Sequence, residues 1–280
     1  MDEEKEYWLE QIKIYNSIKC NPHNKYYEWQ PARWAGNNSA VTLISKYIND
    51  IRSACEIGAG SCAFSISIYN YNNNISITAV DKSSKAVKYG KQIAKDLRIP
   101  IIYHKKDLFD FIGKYDLVLS LGVIEHYNYE KMVKFVEKCI SLSNKYIFIA
   151  IPNQESIFFK NYVSWSEKNS KKYGEEHKKF STDDLEKIMK EKNLEIICVD
   201  GFQMFLSEKN FLSEETKENF EIINLLKEKL YKYDKGLAEK FPDINFHKKD
   251  INSMTLAELD FNKDIRKKYS FMTFVLAKVK

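Results

Sequence analysis

The chemistry in this sequence gathers in Ala54-Cys-Glu-Ile-Gly-Ala-Gly-Ser-Cys62, where a β-rich run meets two glycines ahead of a helix-like stretch. Glycines at 58 and 60 let the chain turn tightly and leave room for a ligand against bare backbone, close to the unpaired amides that open the next helix. Asp81 closes the next β-rich run, about 20 residues on, where a carboxylate accepts hydrogen bonds from both hydroxyls of a ribose. After the third run comes Asp107-Leu108, a carboxylate for the exocyclic amine of adenine beside an apolar cover for the ring. Together these residues point to a ligand built on a nucleoside. Plainer roles stand beside each: an ordinary strand-to-helix turn for the glycines, a helix N-cap for Asp81, a loop acid for Asp107.

Such residues need a sheet edge to hold them. From 52 to 151, β-rich runs at 52–57, 75–80, 101–103, 115–121 and 146–151 alternate with helical patterns at 61–69, 84–96 and 129–141, the alternation of a parallel sheet with helices on both faces. Ser181-Thr-Asp-Asp184 ahead of Leu185, Ile188 and Met189 reads as a capped helix start. A sixth strand at 194–199 and a seventh at 271–279 follow. The expected organisation is an N-terminal helical lid (1–50), an α/β core (51–201), a helical insertion (202–266) and a last core strand (267–280). Residues 154–178, too polar for core, form a further cap candidate.

Composition narrows the function. With 280 residues, 44% hydrophobic and 30% charged, the chain is globular in type. Its net charge of +5 comes from 44 basic against 39 acidic residues, and only Arg33, Arg52, Arg98 and Arg266 are arginine. Dispersed lysines among acids make a nucleic acid partner unlikely. Five cysteines without a C-x-x-C spacing suggest neither a disulfide framework nor zinc. Met1-Asp-Glu-Glu-Lys-Glu6 has acids where a secretory signal carries positive charge, and no apolar run reaches membrane-span length. A cytoplasmic protein without a membrane span is expected.

Glu56-x-Gly58-x-Gly60, Asp81, Asp107 and Tyr115-Asp-Leu-Val-Leu-Ser-Leu-Gly-Val-Ile-Glu-His126 resemble the ordered motifs of class I S-adenosylmethionine-dependent methyltransferases over roughly residues 50–200. Gly174-Glu-Glu-His-Lys-Lys-Phe-Ser181 is similar to the branch that modifies small metabolites such as quinones and sugars. The resemblance implies a doubly wound, seven-stranded, mostly parallel sheet with an antiparallel last strand, and S-adenosylmethionine as cofactor. It places Glu56 at the methionine end, with Ser120 and Leu121 lining the same moiety, and sets Ala59 and Lys82 beside Gly58, Gly60, Asp81, Asp107 and Leu108.

The pattern departs from the family in places. Cys62 stands where a third glycine is common. Gly122 replaces the first acid of a metal-binding Glu-x-x-Glu-His, so no metal is expected, and Tyr127 stands where RNA-end modifiers carry a second His. The Asn/Asp-Pro-Pro-aromatic run of DNA adenine methyltransferases is missing after strand four. Gly58-x-Gly60-x-x-Ala63 with Asp81 also suits an NAD(P) oxidoreductase, and a scaffold without catalysis is a third reading. For methyl transfer to an O or N atom of a small molecule, His126 at the end of strand four is the first candidate base. His177 is the second. Tyr27 and Arg33, in Tyr26-Tyr-Glu-Trp-Gln-Pro-Ala-Arg-Trp34, offer an aromatic face and a carboxylate partner to the acceptor. The aromatics of 202–266 suit either a roof over it or a homodimer contact.

Overall fold

A computed structural model describes residues 3–168, 180–206 and 216–280. The strands are β1 (Ser53–Ile57), β2 (Ser76–Asp81), β3 (Ile101–Lys105), β4 (Tyr115–Leu121), β5 (Ser143–Pro152), β6 (Glu195–Phe202) and β7 (Met272–Lys278). Among the described residues they form one sheet in the order β3-β2-β1-β4-β5-β7-β6. β1 to β5 pair in parallel, whereas β7 lies antiparallel between β5 and β6. The order reverses between β1 and β4, and in open α/β sheets ligands bind at the carboxyl ends of strands flanking such a point. Gly58, Asp81 and Leu121 all stand at that edge.

β6 and β5 run furthest beyond what the sequence pattern predicts. β6 continues through Asp200 and Gly201, residues poor in strand propensity, because each pairs with β7, at Phe274 and Thr273. β5 begins at Ser143, which pairs with Tyr115 across a register shift. In both cases the partner strand overrides local preference.

Helices cover the two faces. α3 (Pro31–Ser45) and α4 (Ala63–Tyr71) bury Ile44, Phe64 and Ile68 with Phe148 and Phe274 on one face. α6 (Tyr129–Leu142) and α8 (Thr182–Glu191) bury Phe135, Val136, Leu185 and Met189 on the other. α8 starts where the capping pattern predicts: Ser181 accepts from the Asp184 amide, and the Asp184 side chain accepts from the Ser181 amide. α5 (Ser84–Leu97), capped by Ser83, buries Ala86, Gly90, Ile93 and Leu97, one stripe at helical spacing.

The remaining helices assemble a third cluster over α5. It joins Tyr15 of α1 (Glu3–Ser17), Tyr26 of α2 (Pro22–Glu28), Phe158 of α7 (Ile157–Lys168), Leu226 of α9 (Lys217–Tyr233), Leu237 of α10 (Lys235–Lys240) and Met254 of α11 (Ile251–Leu259). Tyr15 Oη also donates to Asp96 of α5 at 2.7 Å. The stretch from 154 is therefore not too polar for core at its start, since Phe158 and Phe159 are buried; 169–179 lie outside the described residues. Of the aromatics between 202 and 266, Phe202, Phe205, Phe241 and Phe246 are buried and Phe220 and Tyr231 exposed. Phe211 lies outside the described residues. No helix among the described residues is long and apolar enough to cross a membrane.

A buried charge pair ties the C-terminal helices to the sheet. Arg266, in α12 (Lys263–Tyr269), donates to Asp200 through Nε at 3.0 Å and Nη2 at 2.7 Å, with both side chains buried. Next to it, the buried Glu258 accepts from the amides of Gln203 and Met204 at 2.8 and 3.1 Å. Removing one member of a buried pair strands the other charge without solvent. Arg266→Ala is expected to lower unfolding free energy by about 3–5 kcal/mol in urea denaturation.

Candidate functional site

The turn leaving β1 alternates into left-handed backbone at Gly58 (φ +65°), Gly60 (φ +50°) and Cys62 (φ +60°), a conformation that glycine adopts without the Cβ clash facing other residues. Gly58 and Ala59 donate their amides to the Val80 carbonyl at 2.9 and 3.1 Å, so the turn is pinned to the end of β2. Asp81 completes the link: Oδ2 accepts from the Gly60 amide at 2.9 Å and Oδ1 from the Ser83 amide at 2.8 Å. The N-cap of α5 is Ser83 itself, whose hydroxyl accepts from Ala86 at 3.3 Å. A carboxylate has about four lone-pair sites. One remains on each oxygen of Asp81, a pair matched to two adjacent hydroxyl donors. Burial raises its proton affinity, opposed by the Gly60 and Ser83 amides and by Lys82.

Glu56 is buried one turn deeper. Its Oε2 accepts from the Ser65 amide at 3.1 Å and from the Cys62 thiol at 3.4 Å, which steadies the first turn of α4. Burial raises its proton affinity, against those bonds and the positive charge of Arg33. At the end of β4, Ser120 spends its hydroxyl on the Ile57 carbonyl at 3.0 Å, locking β4 to β1. Leu121 is half-buried beside it. Gly122 (φ +66°) then turns the chain so that Val123 lies over Gly58, where an added Cβ would come within 2.4 Å of Val123 Cγ2.

In the short 3-10 turn Ile124–His126, His126 is exposed at the mouth of this edge and Glu125 is buried. Glu125 Oε2 has no hydrogen-bond partner, and burial pushes its carboxyl up to about 8. Beyond β3, Asp107 Oδ1 accepts from the Phe109 amide at 2.9 Å while Asp107 stays exposed; Leu108 is buried and Lys82 exposed. Among the described residues, no group of three or more His, Cys, Asp or Glu is placed to hold a metal ion.

From the N-terminal helices, Trp8 presses on the glycine turn, since a Cβ on Gly60 would lie 2.4 Å from its ring. Arg33 is half-buried, 5.7 Å from the Trp29 ring. The structure thus gathers Glu56, Gly58, Ala59, Gly60, Asp81, Ser120 and Leu121 at one edge. Tyr27 stands apart from them, its hydroxyl accepting from Asn70 at 3.0 Å in the last turn of α4, the end away from Gly60. His177 lies outside the described residues. Trp8 and Glu125 are additions that sequence reasoning missed. Trp8, Gln11 and Tyr15 share one helical face at spacings of three and four, a readable signal; the burial of Glu125 has none.

Residues 54–145 match the model of a family described as a methyltransferase domain. No curated protein sequence matches the chain. In fold the chain is similar to magnesium protoporphyrin IX methyltransferase from Synechocystis PCC 6803 with bound SAH, at 18% identity over 69% of this chain and 87% of that one, with a TM-score of 0.53. It is also similar to the plantazolicin methyltransferase BpumL in complex with SAH, at 15% identity over 99% and 97% of the two chains, TM-score 0.53. Strand order and glycine turn fit the fold of these solved methyltransferases, and the methyltransferase-domain match falls on the strands and turns that carry them, residues 54–145. Both of those solved structures hold SAH.

The close approach of Trp8 to Gly60 has a measurable consequence. Gly60→Ala is expected to cost about 2–4 kcal/mol, combining left-handed strain and overpacking. Trp8→Ala in the same chain should relieve the packing share, leaving a coupling above about 0.5 kcal/mol in a double-mutant cycle by urea unfolding.

Proposed function

We propose that the protein methylates an oxygen or nitrogen atom of a small-molecule acceptor, with the nucleoside of its cofactor along the ends of β1, β2 and β3. The observation that carries this reading is the Asp81 carboxylate, anchored by two amides with one acceptor site left on each oxygen. Glu56 supports the methionine end through the first turn of α4, next to Ser120 and Leu121. Ala59 and Lys82 flank the ribose, and Asp107 with Leu108 receives the adenine. When bound, S-adenosylmethionine supplies an electrophilic methyl group on a sulfonium, and the protein's task is to hold the acceptor atom in line with it.

His126 is the proposed base, an exposed imidazole on the turn after β4 that takes the proton of a hydroxyl or ammonium acceptor near neutral pH. Arg33, with His177, is proposed for the acceptor side, whereas Tyr27 at the far end of α4 is not. Helices α1–α3 serve as the lid, and residues 202–266 as its roof rather than a homodimer contact, because α9 and α11 pack into the same apolar cluster as α1 and α2. A roofed edge favours a small acceptor over a nucleic acid. The plantazolicin methyltransferase has been solved with a triazolic desmethylPZN analog and SAH, at 14% identity and a TM-score of 0.54, which supports this class of acceptor. A cytoplasmic location remains part of the reading.

Incubating the protein with S-adenosylmethionine and panels of hydroxylated, amino and carboxylated metabolites should yield one class that gains a methyl mass by mass spectrometry; binding without turnover on any panel would favour a scaffold. Asp81→Ala should weaken S-adenosylmethionine binding more than tenfold, about 1.4 kcal/mol or more, with the circular dichroism spectrum preserved. Unchanged affinity would remove Asp81 from the site. His126→Ala should abolish turnover at unchanged cofactor affinity, and undiminished turnover would exclude it as the base.

A further inference from the structure

Glu125 is a carboxyl group with no structural task in view. Its side chain is 2% exposed and Oε2 has no hydrogen-bond partner, whereas Glu56, Asp81, Asp200 and Glu258 each accept hydrogen bonds from amides or side chains. A buried polar atom left unsatisfied costs stability and calls for a reason. Its position suggests one. The carboxyl folds back on Gly122, with Oε1 3.5 Å from that residue's Cβ position, and Val123, two residues away, covers Gly58. Two residues span at most about 7 Å, so Glu125 belongs to the turn that closes over the glycine loop.

Few charges compete for it. The ionisable groups on neighbouring elements include His126 and Tyr127 beside it, Tyr129, Glu130, Lys131 and Lys134 on α6, Cys55 and Glu56 on β1, and Asp81 with Lys82 at the end of β2. Lys134 pairs with Glu130 at 2.7 Å, and Lys131 lies 4.5 Å from the centre of the Tyr127 ring. The proton affinity of Glu125 is set by burial, opposed by its own backbone amide. A cation held at this end of the sheet, in surroundings of low dielectric, shifts proton affinity roughly tenfold at about 10 Å.

We propose that Glu125 is the charge-compensating residue of the site: protonated while the site is empty, it gives its proton to solvent as the sulfonium of the methyl donor binds, and is reprotonated when transfer leaves a neutral thioether. This inference rests on the methyltransferase reading and adds a residue to it. The balance closes for a neutral acceptor. The acceptor's lone pair forms the bond to the methyl carbon, the carbon–sulfur pair stays on sulfur, and the proton leaving the acceptor oxygen or nitrogen passes through His126 to the Glu125 carboxylate. One positive and one negative charge disappear together, so the summed charge of Glu125 and the sulfonium stays at zero throughout. Glu125 acts on the reacting atoms through its charge and is not assigned contact with them.

Calorimetric titration at about pH 7.5 in buffers of different ionisation enthalpy tests this with S-adenosylmethionine and S-adenosylhomocysteine, which differ in the sulfonium charge. The wild-type protein should release on the order of half a proton more with the first than with the second, and Glu125→Gln should abolish the difference. A difference infrared spectrum of the wild type needs no variant: the protonated-carboxyl band should bleach on adding S-adenosylmethionine and persist with S-adenosylhomocysteine. Equal proton release for the two compounds, a difference that survives Glu125→Gln, or an unaltered carboxyl band would overturn the assignment alone. Binding of neither compound would overturn the methyltransferase reading and this inference with it.

Discussion

The hydrogen bond from the Gly60 amide to Asp81 is the interaction on which this site depends. It joins two strand ends that are neighbours only because β1 and β2 pair in parallel, in a register that sets Ile57 beside Val80. With the Val80 carbonyl held by Gly58 and Ala59, the turn has no freedom to drift from the carboxylate. The same bond keeps the charge of Asp81 partly solvated by backbone dipoles, and with the Ser83 amide and the charge of Lys82 it lets a buried acid remain at the edge of the sheet.

Three buried carboxyl groups line this edge, and their surroundings divide their work. Asp81 has two amide donors and keeps two acceptor sites; Glu56 turns inward to the first turn of α4. Glu125 has only its own amide against burial. Residues of one chemical type thus differ in proton affinity because of what donates to them. The proposed roles of ribose ligand, structural support and proton store thus fall to three acids of one sheet edge.

The helical additions act through packing. α1, α2, α9 and α11 share a cluster of buried aromatic and aliphatic side chains laid over α5, and Trp8 reaches from it to the glycine turn. Coupling between lid and turn is therefore steric. The indole fills the space that Gly60 leaves by having no side chain.

Much of the fold was legible in the residues themselves. The glycines at 58 and 60, the strand-ending Asp81, the helical stripe of α5 and the capping box of Ser181 and Asp184 are local signals, carried by backbone sterics and by spacing along the chain. Those signals determined the α/β core and the glycine turn on which the proposed nucleoside site rests. Pairing and burial decided the rest, because both depend on residues far apart in sequence. Only the sheet extends β6 through Asp200 and Gly201, and only the folded chain removes Glu125 from water and sets Trp8 on Gly60. It also parts Tyr27 from the site by the length of α4, a separation that the run from Tyr26 to Trp34 does not disclose.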